Sequence, residues 1–226
     1  MSSAKPLLIA IVGAESTGKT LLSMALQQAL IESTGLRCAV VPEYLRTWCE
    51  TEQRTPEHHE QATIAEHQIT LIDGAAATHD VVLCDTTPLM TAVYSELLFH
   101  DRSLHALAQA FHLRCDLTLL TALDIPWVAD GLQRDGPHVR GPVDAAVRKT
   151  LLGAGLGWSV VAGTGQARVE AALNAITPLL LRRQAPRAGL LTRLNERQAS
   201  FPEQRWLCDC DVPECEHASL NSTPTA

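Results

Sequence analysis

Residues 13–20 read GAESTGKT and match G-x-x-x-x-G-K-[ST] at every fixed position. This pattern suits phosphate chemistry. Gly13 and Gly18 let the backbone turn so that the N–H groups of the loop, across Glu15, Ser16 and Thr17, face phosphate oxygens. The start of a following helix adds its positive dipole end. Lys19 can reach the β- and γ-phosphates, and the Thr20 hydroxyl suits Mg²⁺. A phosphate loop of this kind needs a partner acid. Asp85 closes the apolar run VVLC, where such an acid would stand beside Thr20 as a magnesium partner. The same residue could instead cap a helix beginning near Thr87, and the two roles can coexist.

Other chemistry-bearing residues lie further along. P-E-Y-L-R at 42–46 offers Glu43 and Arg46 to an acceptor. The Gly-punctuated segment 126–148 carries Arg134, Arg140 and Arg148, a composition suited to a lid that brings cations over a transferring phosphoryl group. Glu43 and Asp85 both qualify as general base. G-T-G-Q-A-R at 163–168 is either a base-contacting corner or a plain strand-to-helix turn. Near the end, Cys208, Cys210, Cys215 and His217 supply a full tetrahedral zinc set within C-D-C-D-V-P-E-C-E-H, although C-x-C-x₄-C-x-H is not a standard finger. The alternative is a reduced cysteine-rich tail. His58, His59 and His67 fall in a helical stretch and receive no chemical role.

The elements that must position these groups follow from hydrophobic pattern. Continuous apolar runs at 7–12, 38–41, 81–84, 117–123 and 158–162 predict strands buried on both faces. Helical spacing at 19–33, 56–78, 88–98, 103–113 and 166–182 predicts helices between them. The alternation predicts an α/β fold with a mainly parallel sheet, whose ligands sit at the carboxyl ends of strands. Gly13, Pro42, Asp85, Asp124 and Gly163 all fall there. After residue 182 the composition changes. The expected organisation is a nucleotide-binding domain over 1–182 and a Cys/His-rich appendage over 183–226.

The chain has 226 residues, enough for one domain and a small appendage at roughly 150 residues per domain. Its net charge of −7 offers no global attraction to nucleic acid or to anionic membrane, so neither is an expected partner. No apolar run approaches the ~20 residues of a bilayer span. The run PLLIAIVGA after Lys5 imitates an export signal, but it passes into the lysine-bearing loop without a small-residue cleavage site. A cytoplasmic protein with reduced cysteines is expected.

No N-K-x-D guanine motif is present, which argues against a GTPase. The chain shows no signature motif or second module of an AAA-type or ABC-type machine. A small-molecule kinase requires an acceptor pocket, a base and a lid, and residues for all three are present. The motifs G-x-E-S-[ST]-G-K-[ST] at 13–20, E-Y-x-R at 43–46, D-T at 85–86, and P-W-V-A-D-G-L at 126–132 followed by Arg134 resemble, in order, the ribosylnicotinamide kinase domain of NadR-type proteins. The resemblance covers residues 6–180. It implies a stand-alone P-loop NTPase domain, three-layered, that uses ATP and Mg²⁺ to phosphorylate the 5′-hydroxyl of nicotinamide riboside. It also implies that Glu43, Tyr44, Arg46, Asp85, Trp127 and Asp130 lie at the substrate pocket. Trp127 could stack on a pyridinium ring or simply pack in the core. Asp85, Asp124 and Asp130 suit a cationic acceptor by charge. NadR-type proteins also carry an adenylyltransferase module; this chain has no H-x-G-H motif. The competing expectation is a regulatory nucleotide switch that uses its Cys/His tail for recognition. Sequence leaves the oligomeric state open.

Overall fold

A computed structural model describes residues 5–128 and 136–183. The apolar runs form five parallel strands, β1 (Leu7–Val12), β2 (Cys38–Val41), β3 (Val81–Asp85), β4 (Leu117–Thr121) and β5 (Ser159–Val161), in the order β2-β3-β1-β4-β5. Seven helices among the described residues join them: α1 (Lys19–Thr34), α2 (Tyr44–Glu52), α3 (Gln61–Ala76), α4 (Pro88–Phe99), α5 (His105–His112), α6 (Arg140–Gly153) and α7 (Gly165–Arg183). The expected α/β, mainly parallel five-stranded P-loop architecture is therefore present. Apart from Arg183, the expected appendage lies outside the described residues. Among those described, no helix is long and apolar enough to cross a membrane.

The sheet is covered on both faces, which explains why its strands read as unbroken apolar runs. Leu7, Ile9 and Ile11 of β1 pack toward α1 and α7, against Leu22, Leu26, Leu30, Ala172 and Ile176. Ala10 and Val12 face α4 and α6, against Leu89, Val93, Val143, Val147 and Leu151. Leu8 joins Val82, Cys84, Ile72 and Phe111 in a third cluster. The register sets Ile11 beside Asp85 and Val12 beside Leu120. The phosphate-binding sequence therefore emerges between the carboxyl ends of β3 and β4.

Two helices depart from the expected pattern. The first, α2, fully buries only Cys49, while Tyr44, Leu45 and Trp48 on the same stripe are half-buried. The second, α6, occupies part of the segment expected to be a lid. A 3₁₀ turn at Pro137–Val139 runs directly into it. Gly141 and Pro142 look like breakers, but they stand in the first turn, where backbone N–H groups have no intrahelical partner to lose. Val143, Val147 and Leu151 then recur at helical spacing and are buried.

Near the start of β4, His112 is 1% exposed and its Nε2 pairs with Thr118 Oγ1 at 2.7 Å. Burial pulls this imidazole down to about 4. An unfolded chain takes up the proton near the ordinary value of ~6.5, so it binds more protons than the fold between these limits. Stability is expected to fall as pH drops from 6.5 toward 4, and to level off below that. Thermal melts across this range should show the loss, and His112→Gln should flatten it.

Candidate functional site

The phosphate loop is shaped by contacts that the pattern alone does not reveal. Gly13 has φ +145°, and a Cβ there would overlap Thr121 Oγ1 and lie 3.2 Å from the Thr121 carbonyl oxygen. Thr121 closes β4 and is fully buried. Its single hydroxyl proton lies between Thr17 Oγ1 at 2.7 Å and Val12 O at 3.2 Å. Thr17 Oγ1 also donates to Ala14 O at 2.7 Å. The Thr17 hydroxyl thus points inward, and only the backbone of Thr17 is left for a ligand. Glu15 is buried as well, at 8% exposure. Ser16 takes a left-handed conformation at φ +53°. Its hydroxyl accepts the Val128 N–H at 2.8 Å and donates to Val128 O at 3.3 Å, which ties the loop to the segment after β4.

Gly18 (φ +73°) begins α1 with no side-chain cap and no acidic residue in the first turn. The helix therefore presents uncapped N–H groups and an uncompensated positive end to the cradle. Lys19 Nζ donates to Gly13 O at 3.0 Å and Ala14 O at 2.9 Å, so its ammonium lies along the rim of the loop. Thr20 Oγ1 donates to Asp85 Oδ2 at 2.6 Å. Asp85 is 2% exposed, and its other oxygen is buried with no hydrogen-bond partner among the described residues. The α4 cap belongs to Thr87, whose side chain accepts the Leu89 N–H at 3.4 Å, with Pro88 following. Asp85 is thereby left to Thr20. Between Asp85 and Thr87, Thr86 is buried at φ +70°, a costly conformation for a β-branched residue.

The expected acceptor residues gather at the carboxyl end of β2. Glu43 leads into α2, and its Oε2 lies 3.8 Å from Arg46 Nη2. The Tyr44 N–H donates to Gln68 Oε1 at 2.7 Å, and Gln68 Nε2 donates to Pro42 O at 3.2 Å. A buried carboxamide on α3 thus holds this corner. The Tyr44 ring stacks on His67, with centroids 4.0 Å apart. His67, given no role from sequence, is a packing partner of the corner.

The lid residues divide. Asp130 and Arg134 lie outside the described residues, as do Cys208, Cys210, Cys215 and His217. Arg140 does not stand on a glycine-rich loop. It opens α6, is 8% exposed, and donates from Nη1 to Ile125 O at 2.9 Å. Its Nε and Nη2 are buried with no partner among the described residues, as is Trp127 Nε1. Arg148 pairs with Asp144 one turn away at 2.7 Å, on the surface of α6. Among the described residues, no group of three or more His, Cys, Asp or Glu side chains could hold a metal ion.

Sequence reasoning missed Arg168. It occupies the buried stripe of α7 with Ala172 and Ile176, and a basic residue on that stripe was the available signal. Its guanidinium donates to Asp124 Oδ1 and Gly163 O, each at 2.8 Å, and to Thr17 O at 2.9 Å. Asp124 also accepts the Gly163 N–H at 2.5 Å. Partial burial disfavours the Asp124 carboxylate, but the bonds from Arg168 and Gly163 outweigh it and hold the carboxyl below its usual range. Asp124 therefore serves Arg168 at the corner of β4 and β5, a correction to its expected place among carboxylates facing a cationic acceptor. Beside it, Gly18, Leu21, Ala25, Ile125, Thr164 and Val169 line a cavity of about 380 Å³ next to the cradle.

A family profile described as an AAA domain matches residues 8–168, which include the phosphate loop, Asp85 and Arg168. No curated protein matches the sequence. Solved structures of similar fold include a NadR protein in complex with NAD and AMP-PNP, at TM-score 0.62 and 20% identity, over 77% of this chain and 49% of that one. A NadR protein in complex with NR has TM-score 0.58 and 20% identity, over 77% of this chain and 51% of the other. Thymidylate kinase from Ehrlichia chaffeensis has TM-score 0.52 and 17% identity, over 78% of this chain and 100% of that one. The chain spans about half the length of the two NadR chains. These likenesses establish a P-loop fold of the kind found in NadR and thymidylate kinase.

Proposed function

The chain belongs to the AAA-domain family that matches it, and on that premise we propose that it is an ATP-dependent phosphotransferase whose acceptor is a small riboside, with nicotinamide riboside the first candidate. The observation that carries the reading is the pairing of Thr20 with Asp85 at 2.6 Å beside a glycine-shaped phosphate loop. The four ordered motifs and the fold likeness to NadR support the choice of acceptor.

The residues present fit Mg²⁺. A hydroxyl and a carboxylate with one buried oxygen unpartnered among the described residues form a hard oxygen donor set. When bound there, Mg²⁺ would neutralise charge on the phosphate oxygens. They also fit a nucleoside triphosphate, with phosphates in the cradle and the base in the cavity between α1 and the start of α7. Lys19, now on the loop carbonyls, supplies a cation to the β- and γ-phosphates. The acceptor hydroxyl oxygen forms a bond to the γ-phosphorus as the bond to the bridging oxygen breaks and ADP departs. Glu43 takes the hydroxyl proton, because Asp85 is engaged with Thr20. Arg140, whose Nε and Nη2 have no partner among the described residues, and Arg134 complete the charge compensation as the phosphoryl group moves.

ADP formation from ATP, measured against a panel of ribosides, tests the reading. Activity that depends on nicotinamide riboside supports it. ADP release at one rate with and without any riboside would replace it with an ATPase or nucleotide switch.

Trp127 gives a finer test. Its half-buried indole can hold the positively charged pyridinium ring, an attraction worth about 0.5–2 kcal/mol. Trp127→Ala is expected to lower kcat/KM for nicotinamide riboside about 2- to 30-fold more than for uridine. Trp127→Phe should recover part of the difference. Equal losses on both ribosides, with a lower Tm, would assign Trp127 to packing alone.

A further inference from the structure

Arg168 does more than join the ends of two strands. It is 5% exposed, and one guanidinium reaches three segments: Asp124 after β4, Gly163 after β5, and the Thr17 carbonyl within the phosphate loop. The Nη2–Thr17 O bond, 2.9 Å long, is buried. A trans peptide is planar, so its C=O and N–H point in opposite directions. A Thr17 carbonyl turned toward Arg168 therefore sends the Gly18 N–H away from Arg168.

Gly18 makes this constraint necessary. Its φ is +73°, and glycine has little intrinsic preference between the two senses of φ. The Thr17 side chain is held by Ala14 O and Thr121, but those bonds lie on the other side of the Thr17 Cα and leave the following peptide plane free to turn. A turned plane would aim a carbonyl oxygen, a negative dipole end, at the phosphates. Of the contacts on this peptide, the Arg168 bond opposes that turn.

We propose that Arg168 is a positioning residue for phosphate recognition, which locks the Thr17–Gly18 peptide so that the Gly18 N–H faces the cradle. The proposal rests on reading residues 13–20 as a phosphate loop. Arg168 touches no phosphate itself; it acts through the peptide. Asp124 and Gly163 O fix the guanidinium in turn, so the corner between β4 and β5 sets the donor geometry of a loop far away in sequence.

Calorimetric titration of the full chain with adenosine and with ATP–Mg²⁺ tests this, read as the ratio of the two affinities. Arg168→Met removes the lock and keeps most of the side-chain volume. The ATP-over-adenosine ratio should fall roughly 10- to 100-fold, the effect of losing one charge-assisted hydrogen bond, while adenosine affinity changes little. Arg168→Lys should recover part of the ratio, since an ammonium can still meet one carbonyl. Asp124→Asn leaves one acceptor oxygen where the carboxylate has two, so it loosens the guanidinium and should lower the ratio by less than Arg168→Met does. If Arg168→Met does not fold, Arg168→Lys alone decides, and a wild-type ratio in it overturns the proposal. Equal weakening of adenosine and ATP also overturns it, since that is the mark of a purely structural role. A wild-type chain with no preference for ATP over adenosine would overturn the phosphate-loop reading itself, a result distinct from either.

Discussion

Lys19→Ala is expected to lower kcat by about 10²–10³-fold, the usual loss when one preorganised charge-stabilising donor is removed. The fold should persist. The hydrogen bonds of Nζ go to the loop carbonyls Gly13 O and Ala14 O, and the side chain takes no part in the buried clusters on either face of the sheet. Those two carbonyls are also why a cation belongs there. They gather negative dipole ends at the mouth of a loop built to admit anions, and the ammonium compensates them until phosphates arrive. Turnover should therefore collapse while the melting temperature moves little. Lys19→Arg should rescue poorly, because a planar guanidinium cannot replace a compact ammonium on a short rim. Wild-type turnover in a folded Lys19→Ala variant would remove the phosphate-loop assignment.

Among the described glycines, Gly13→Ala should be the most damaging added methyl. Two separate penalties meet at that position. The backbone sits at φ +145°, which costs about 1–3 kcal/mol for a residue with a Cβ. The added carbon would also overlap Thr121 Oγ1, and overpacking of a tight core costs about 1–3 kcal/mol. Tm is expected to fall by about 5–20 °C, at about 2–4 °C per kcal/mol for a domain of this size. The two penalties can be separated. Thr121→Ala removes the overlapped oxygen but leaves the Thr121 carbonyl 3.2 Å away and the backbone angle unchanged. The double variant Gly13→Ala, Thr121→Ala should regain part of the stability lost by Gly13→Ala. A double variant no more stable than the single one would place the whole cost in the backbone.

What was legible in the sequence follows from where the information is local. The central strands β3, β1 and β4 read directly because both faces of each are covered, so the apolar run carries no competing polar signal. The phosphate loop read directly because its glycines and lysine act through backbone geometry within eight residues. The α2 and α6 helices did not read. One fully buries a single cysteine, and the other begins with Gly141 and Pro142, whose breaking tendency is harmless only in a first turn. The inward Thr17 hydroxyl and the reach of Arg168 were not legible either. Each depends on a partner about a hundred residues or more away, Thr121 for one and the phosphate loop for the other. The role expected of Asp124 failed for the same reason. Its charge was visible, but the cation beside it was not. The acid at Asp85 was legible as a strand-end residue, while the choice between capping and Thr20 required seeing Thr87 take the cap.

The position of β1 has a consequence for how the molecule comes into being. It is the middle strand of the sheet, and its neighbours are β3 and β4. The Leu8 N–H is received by Asp116, a contact 108 residues away along the chain. A nascent polypeptide therefore exposes its most apolar segment long before either flanking strand has been made. Pairing this distant is slow, because chain entropy must be spent before contacts reward it, and such intermediates are prone to aggregate. Fragments that end before residue 117 should neither fold cooperatively nor retain nucleotide. Of the strands of this sheet, β1 is made before the others and is thus among the last to find its place, and the phosphate loop it carries matures only when β4 closes beside it.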